Sequence, residues 1–239
     1  MKQRGASRRA ASQGTSRSTS LRPGAKLRAK IVLIGDGGVG KTALRRAWLG
    51  EGFKTEYLMT IGADFASQEL SLYYSETKST YNIKFQIWDL AGQPRFKAVR
   101  DLYYRGATGA LCFFDITNQD SYMNLVEWIQ SYWALNGHGK MPLLIIGSKC
   151  DLRDNPAFPT QVSARYGKEY AAELTKILKR NYGFEVRYME TSAKENINVD
   201  EAFKILAKEI IKSTLHQEKL RNDRKTSQKK MLTDQIRSR

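Results

Sequence analysis

Eight residues, GDGGVGKT from Gly35 to Thr42, carry the clearest chemistry in the chain. Their spacing, G-x-x-x-x-G-K-[ST], is that of a loop that cradles phosphate groups. Gly35, Gly37, Gly38 and Gly40, with Asp36 and Val39 between them, can turn successive backbone N–H groups inward around an anion. A helix opening directly after such a loop adds its positive N-terminal end. Lys41 has the reach to meet the outer phosphates, and the Thr42 hydroxyl is placed to ligate Mg²⁺. The same letters elsewhere would be a glycine-rich turn with a surface lysine. Here an apolar run precedes them and a helical pattern follows, which is where a phosphate loop belongs.

IWDLAGQ, Ile87 to Gln93, is the second cluster. An aspartate leaving a strand beside a phosphate loop can hold Mg²⁺ through a water, which makes Asp89 a metal candidate. Gly92 can bring its N–H to a terminal phosphate because no Cβ intervenes. Gln93 then has the length to orient an attacking water.

The elements that position these residues read as strand–helix alternation. KIVLIG is a continuous apolar run, as expected of a strand covered on both faces. TYNIKFQIW places Tyr81, Ile83, Phe85 and Ile87 on one face of a half-buried strand. Its partner spans Ala63 to Tyr74, joined through SETKS. ALCFFD precedes a helix expected over Ser121 to Leu135, and LLIIG one over Ser163 to Lys179. EVRYME precedes another from Val199, with its continuation past His216 left open. Such alternation predicts an α/β fold with a mostly parallel sheet.

A chain of 239 residues suffices for one sizeable domain. No apolar run approaches the length of a membrane span. Cys112 and Cys150 both fall in apparent core segments, against a disulfide scaffold and in favour of a reducing compartment. His138 and His216 are too far apart to suggest a zinc site. The net charge of +16 is concentrated at the ends, with nine Lys/Arg and no acid in residues 1–30 and nine against three acids in residues 212–239. The body is nearly neutral, whereas a nucleic-acid-binding domain carries its basic patch on the fold, so nucleic acid is disfavoured as a partner. Residues 1–25, rich in Ser, Arg, Ala and Gly, are expected to be a disordered basic tail, without the apolar face of a transit peptide or the apolar core of a secretion signal.

Six motifs stand in a fixed order: GDGGVGKT, TIGADF, WDLAGQPRF, YYRGATGALCFFDIT, SKCD and ETSAK. Together they resemble the Ras superfamily of small GTPases, the Rab branch most of all, over roughly residues 27 to 216. The resemblance implies a P-loop NTPase fold of the small-GTPase type, with a six-stranded, mostly parallel sheet and helices on both faces. It places the GTPase domain at 26–216, with a basic extension at 217–239 that is helical or disordered. It implies GTP and GDP as ligands, Mg²⁺ as cofactor, and slow intrinsic hydrolysis of GTP in a molecular switch connected with vesicle traffic or membrane-related regulation. Lys41, Thr60 and Gln93 would be catalytic, with Thr60 binding Mg²⁺ and the γ-phosphate in the triphosphate state, and residues 92 to about 104 would form switch II. Phe65, Trp88 and Tyr103 would face effectors. Asp151 would accept from the ring N–H and amine of guanine, Lys149 would lay its stem beside the base, and Ser192, Ala193 and Lys194 would complete the pocket. The implied partners are effector, exchange-factor and GTPase-activating proteins, and the implied form is a cytoplasmic monomer.

Three departures qualify the resemblance. Ser148 stands where the family has Asn, and its shorter hydroxyl replaces only part of a side chain that ties the base to the phosphate loop. Pro94 follows Gln93 where Rab-like proteins have Glu, and proline pushes the residue before it toward extended backbone. The sequence ends DQIRSR with no cysteine after Cys150, and Lys2 follows Met1, so neither prenylation nor myristoylation is expected. The basic ends then imply, at most, weak reversible association with an anionic membrane surface. A GTP-binding scaffold that does not hydrolyse, and a tail-driven membrane or nucleic-acid binder, are the alternative readings.

Overall fold

The computed structural model describes residues 26–53, 60, 62–93, 97–136 and 141–237. The expectations for the tail at 1–25 and for Pro94 lie outside the described residues.

Six strands form one sheet: β1 (Lys26–Ile34), β2 (Ala63–Tyr74), β3 (Ser79–Leu90), β4 (Gly109–Asp115), β5 (Leu143–Ser148) and β6 (Arg187–Thr191). Their order is β2-β3-β1-β4-β5-β6. Only the β2–β3 pair is antiparallel. The central strands β4 and β5 are buried along their whole length, which is why they read as unbroken apolar runs. β3 buries Tyr81, Ile83, Phe85 and Ile87 on its alternate positions. β2 lies at the edge and is exposed over most of its length.

Helices α1 (Lys41–Trp48) and α6 (Val199–Arg237) belong to one core, where the Trp48 and Phe203 rings stack 3.7 Å apart over Phe85. Helices α2 (Lys97–Tyr104), α3 (Gln119–Met123), α4 (Leu125–Asn136) and α5 (Ala164–Tyr182) flank the other core, around Tyr104, Phe114, Trp128 and Tyr132. The helix expected over Ser121 to Leu135 is in fact two, α3 and α4, parted at Asn124. Asn124 sends its side chain to the phosphate loop instead of continuing one helix face. Cys112 is fully buried as expected, but Cys150 opens a short 3₁₀ turn and is only half-buried.

α6 crosses residue 216 without a break, so the extension is helical as far as Arg237. It begins just after the Ser192–Ile197 bridge, beyond the C-terminal end of β6. Ile210 lies against Gly109 at the start of β4, and His216 against Gly183 at the end of α5. The helix therefore runs back along the sheet and leaves it at the N-terminal edge of the parallel strands. Every side chain from Lys219 to Gln228 is exposed. No helix among the described residues is long and apolar enough to cross a membrane.

Candidate nucleotide site

The C-terminal ends of β1, β3, β4, β5 and β6 share one edge, and the loops leaving them carry the motifs. Ligands of open α/β sheets bind in the crevice at such an edge.

The phosphate loop leaves β1 at Gly35, whose φ is +136°. A Cβ there would come 2.3 Å from the Phe113 carbonyl oxygen on β4, so both the backbone angle and the space require glycine. Gly37 and Gly38 form the turn, Val39 is buried under it, and Gly40 caps α1. Lys41 curls back over the loop, its Nζ donating to the carbonyls of Gly35 (2.8 Å) and Asp36 (2.6 Å). Burial lowers the Lys41 pKa to about 8, against the opposing pull of Asp89 and Asp36. The Asp36 carboxylate turns away and accepts from Asn124 Nδ2 (2.8 Å) and the Trp128 indole N–H (2.7 Å).

At the mouth of the loop three oxygen-bearing side chains converge. The Thr42 hydroxyl donates to Asp89 Oδ2 at 2.5 Å and lies 2.9 Å from the Thr60 hydroxyl. Asp89 is fully buried and its Oδ1 has no protein partner among the described residues. Burial raises its pKa, while Thr42, Lys41 and Arg45 act in the other direction. Two hydroxyls and a carboxylate with a spare oxygen are hard donors that fit Mg²⁺. No group of three or more His, Cys, Asp or Glu stands ready to cage a metal among the described residues, so the set suits a cation shared with phosphate oxygens. Arg45 braces the set, with Nη2 2.6 Å from Asp64 Oδ2 and Nε 3.9 Å from Asp89 Oδ2.

Gly92 presses on the loop from β3. A Cβ there would meet the Asp36–Gly37 peptide at 2.4 Å. Gln93 follows, its carbonyl accepting from Arg100 at 2.6 Å and its side-chain Oε1 buried without a partner.

Where β5 ends, Ser148 Oγ lies 2.6 Å from the Val39 carbonyl and 2.9 Å from the Phe114 carbonyl. Its single proton is shared by these two, so Ser148 ties the phosphate loop to the sheet. Lys149 sits in left-handed backbone (φ 62°) and its Nζ is 2.6 Å from Asp115 Oδ2. Asp151 Oδ1 accepts from the Ser192 hydroxyl at 2.6 Å, which in turn accepts from the Glu195 N–H at 3.0 Å. Behind them Arg153 pairs with Glu190. Ala193 and Lys194 lie in the following turn. Lys194 pairs with Glu195 only at the exposed surface, where such a contact contributes little.

Phe65, Trp88 and Tyr103 stand in a row across β2, β3 and α2, with ring centroids 4.9 and 4.6 Å apart. Phe65 is 48% exposed. Lys30 Nζ lies 5.7 Å over the Trp88 ring.

The structure thus brings together the phosphate-loop residues, the Thr42–Thr60–Asp89 set, the base-end residues and the aromatic row. Sequence reading missed Arg45, Arg100, Asn124, Trp128 and Asp115. Arg45, Arg100, Asn124 and Trp128 lie outside the six motifs; Asp115 lies within YYRGATGALCFFDIT, but its pairing with Lys149 across the fold, like the contacts of the other four, leaves no signal in one sequence.

A model of the Ras family matches residues 30–212. Ras-related protein Rab-13 of Rattus norvegicus is 37% identical over 185 residues, covering 77% of this chain and 81% of its own length. Ras-related protein Rab-8B of Homo sapiens is 39% identical over 182 residues (76% and 78%). Ras-related protein Rab-13 of Mesocricetus auratus is 38% identical over 207 residues (84% and 92%).

Proposed function

Since this chain belongs to the Ras family, with Rab proteins among its relatives, we propose that the loop edge described above is where it binds and hydrolyses GTP. The chain is a GTPase and a Rab-like guanine-nucleotide switch.

The single observation that carries it is the convergence of Thr42, Thr60 and Asp89 beside the phosphate loop, with Asp89 Oδ1 buried and unpartnered. Mg²⁺, when bound, would neutralise charge on the β- and γ-phosphates, and these three residues would hold it. Lys41 exchanges its loop carbonyls for phosphate oxygens. Gly92 lies against the loop closely enough for its N–H to meet a terminal phosphate. Gln93 orients the attacking water. Asp151, held by Ser192, accepts from guanine, and adenine would leave that carboxylate unpaired. The Phe65–Trp88–Tyr103 row is the surface an effector would read. The exposed basic stretch of α6 supports weak contact with an anionic membrane surface.

Single-turnover hydrolysis tests the reading. Protein loaded with GTP and Mg²⁺ should release phosphate slowly, with Gln93→Ala about tenfold slower or more. Asp89→Asn should abolish the dependence of nucleotide retention on Mg²⁺. Unchanged behaviour in both variants would remove the assignment.

A further inference from the structure

We propose that Arg100, through Trp128 and Asp36, is a positioning residue that fixes the Gln93 backbone against the phosphate loop. The proposal rests on the reading of Gln93 as the residue that orients water.

Arg100 is 8% exposed. Its Nη1 donates to the Gln93 carbonyl at 2.6 Å and lies 3.3 Å from that of Ala91, either side of Gly92. Its guanidinium carbon sits 4.5 Å over the Trp128 ring. The indole N–H of Trp128 in turn holds Asp36 Oδ1 at 2.7 Å, and Asn124 holds Oδ2 at 2.8 Å. One continuous chain of contacts therefore runs from the Gln93 carbonyl through α2 and α4 to the phosphate loop. Gly92 closes it directly, since a Cβ there would come within 2.4 Å of the Asp36–Gly37 peptide and leaves no room for a side chain.

Two features separate this from ordinary core packing. A buried guanidinium is costly, and among the described residues Arg100 has no carboxylate partner to offset that cost. Its Nη1 is spent on main-chain carbonyls of the catalytic loop. The clasp also fixes only the backbone: Gln93 Oε1 has no partner, and a cavity of about 480 Å³ lined by Gly37, Gly92, Gln93, Arg100 and Trp128 lies beside it. The main chain of Gln93 is held, while its Oε1 has no protein bond that would have to break before the side chain turned toward that cavity.

The test compares full-length protein with Arg100→Ala, Arg100→Met, Trp128→Phe, Gln93→Ala and Gln93→Ala/Arg100→Ala, each loaded with GTP and Mg²⁺. Arg100→Ala should slow single-turnover hydrolysis about tenfold while GDP dissociation changes less than about twofold, since a small misplacement of a catalytic group costs rate before affinity. Arg100→Met refills the space against Trp128 without donors and should be as slow as Arg100→Ala. Adding Arg100→Ala to Gln93→Ala should bring no further loss, because the two act as one unit. Trp128→Phe keeps the ring but drops the bond to Asp36, should lie between wild type and Arg100→Ala, and keeps the test available if an Arg100 variant fails to fold. Wild-type hydrolysis in Arg100→Met, or losses that multiply fully in the double variant, overturns the proposal. A Gln93→Ala rate equal to wild type overturns the reading of Gln93 itself and, with it, this inference.

Discussion

Lys41 is buried with its ammonium on two loop carbonyls, and that burial sets a proton linkage. Its folded pKa, about 8, lies below the unfolded value of 10.5, so the unfolded chain holds more protons between the two. Stability of the nucleotide-free protein should therefore rise with pH through that window. Phosphate oxygens favour the charged lysine, so binding GDP should take up a proton and affinity should fall as pH rises past about 8. Calorimetry at pH 8 in buffers of differing ionisation heat should report an uptake of roughly half a proton, growing at higher pH. No uptake would mean that Lys41 is already charged in the free protein. Ser148 carries a second prediction at this scale. Ser148→Ala leaves the Val39 and Phe114 carbonyls without their shared donor and should cost about 1–3 kcal/mol, read by denaturant unfolding of the GDP form. A change within error would mean that these carbonyls find another donor.

At the level of elements, α6 and α1 depend on one ring stack. Phe203 is fully buried between Trp48 and Phe85, so Phe203→Ala should cost about 3–5 kcal/mol and lower the melting temperature with the nucleotide pocket chemically intact. A melting temperature equal to wild type would mean that Trp48 alone seals that face. The strands were legible because their pattern is set locally: unbroken apolar runs in β4 and β5, alternation in β3. The bounds of β2 were readable as those of the hairpin partner of β3 across the SETKS turn. The break at Asn124 was not, because it answers to Asp36, 88 residues away in the chain. The same holds for Arg100 and Trp128, whose places in the site depend on how α2 and α4 meet over the loop. The phosphate-loop glycines, Lys41, Thr42 and Asp89 stood out because phosphate and Mg²⁺ chemistry asks for those types at near-fixed spacing, whereas Thr60 and Asp151 were placed only by resemblance to the family. Ser148 was legible as a departure, but its two carbonyl bonds were visible only once β4 and the loop lay side by side.

For the molecule as a whole, charge and shape divide along the chain. The folded body is close to neutral, and Lys219, Arg221, Arg224 and Lys225 stand on the exposed part of α6. Vesicles containing anionic lipid should retain the full chain weakly at low salt and release it as ionic strength rises, whereas the chain ending at Glu218 should be retained less. Equal retention of the shortened chain would place the contact on the body or the N-terminal segment. The direction in which α6 leaves adds a mechanical consequence. The 19 residues from Lys219 to Arg237 extend about 28 Å as a helix, away from the edge proposed to bind the nucleotide. A flexible tether of that length would let its load wander anywhere within reach. A boom of fixed span instead sets a stand-off: with its far end pinned, the head sweeps a thin shell, with its reading edge turned outward. Encounter with a second body would then be governed by tilt about the pivot more than by distance from it.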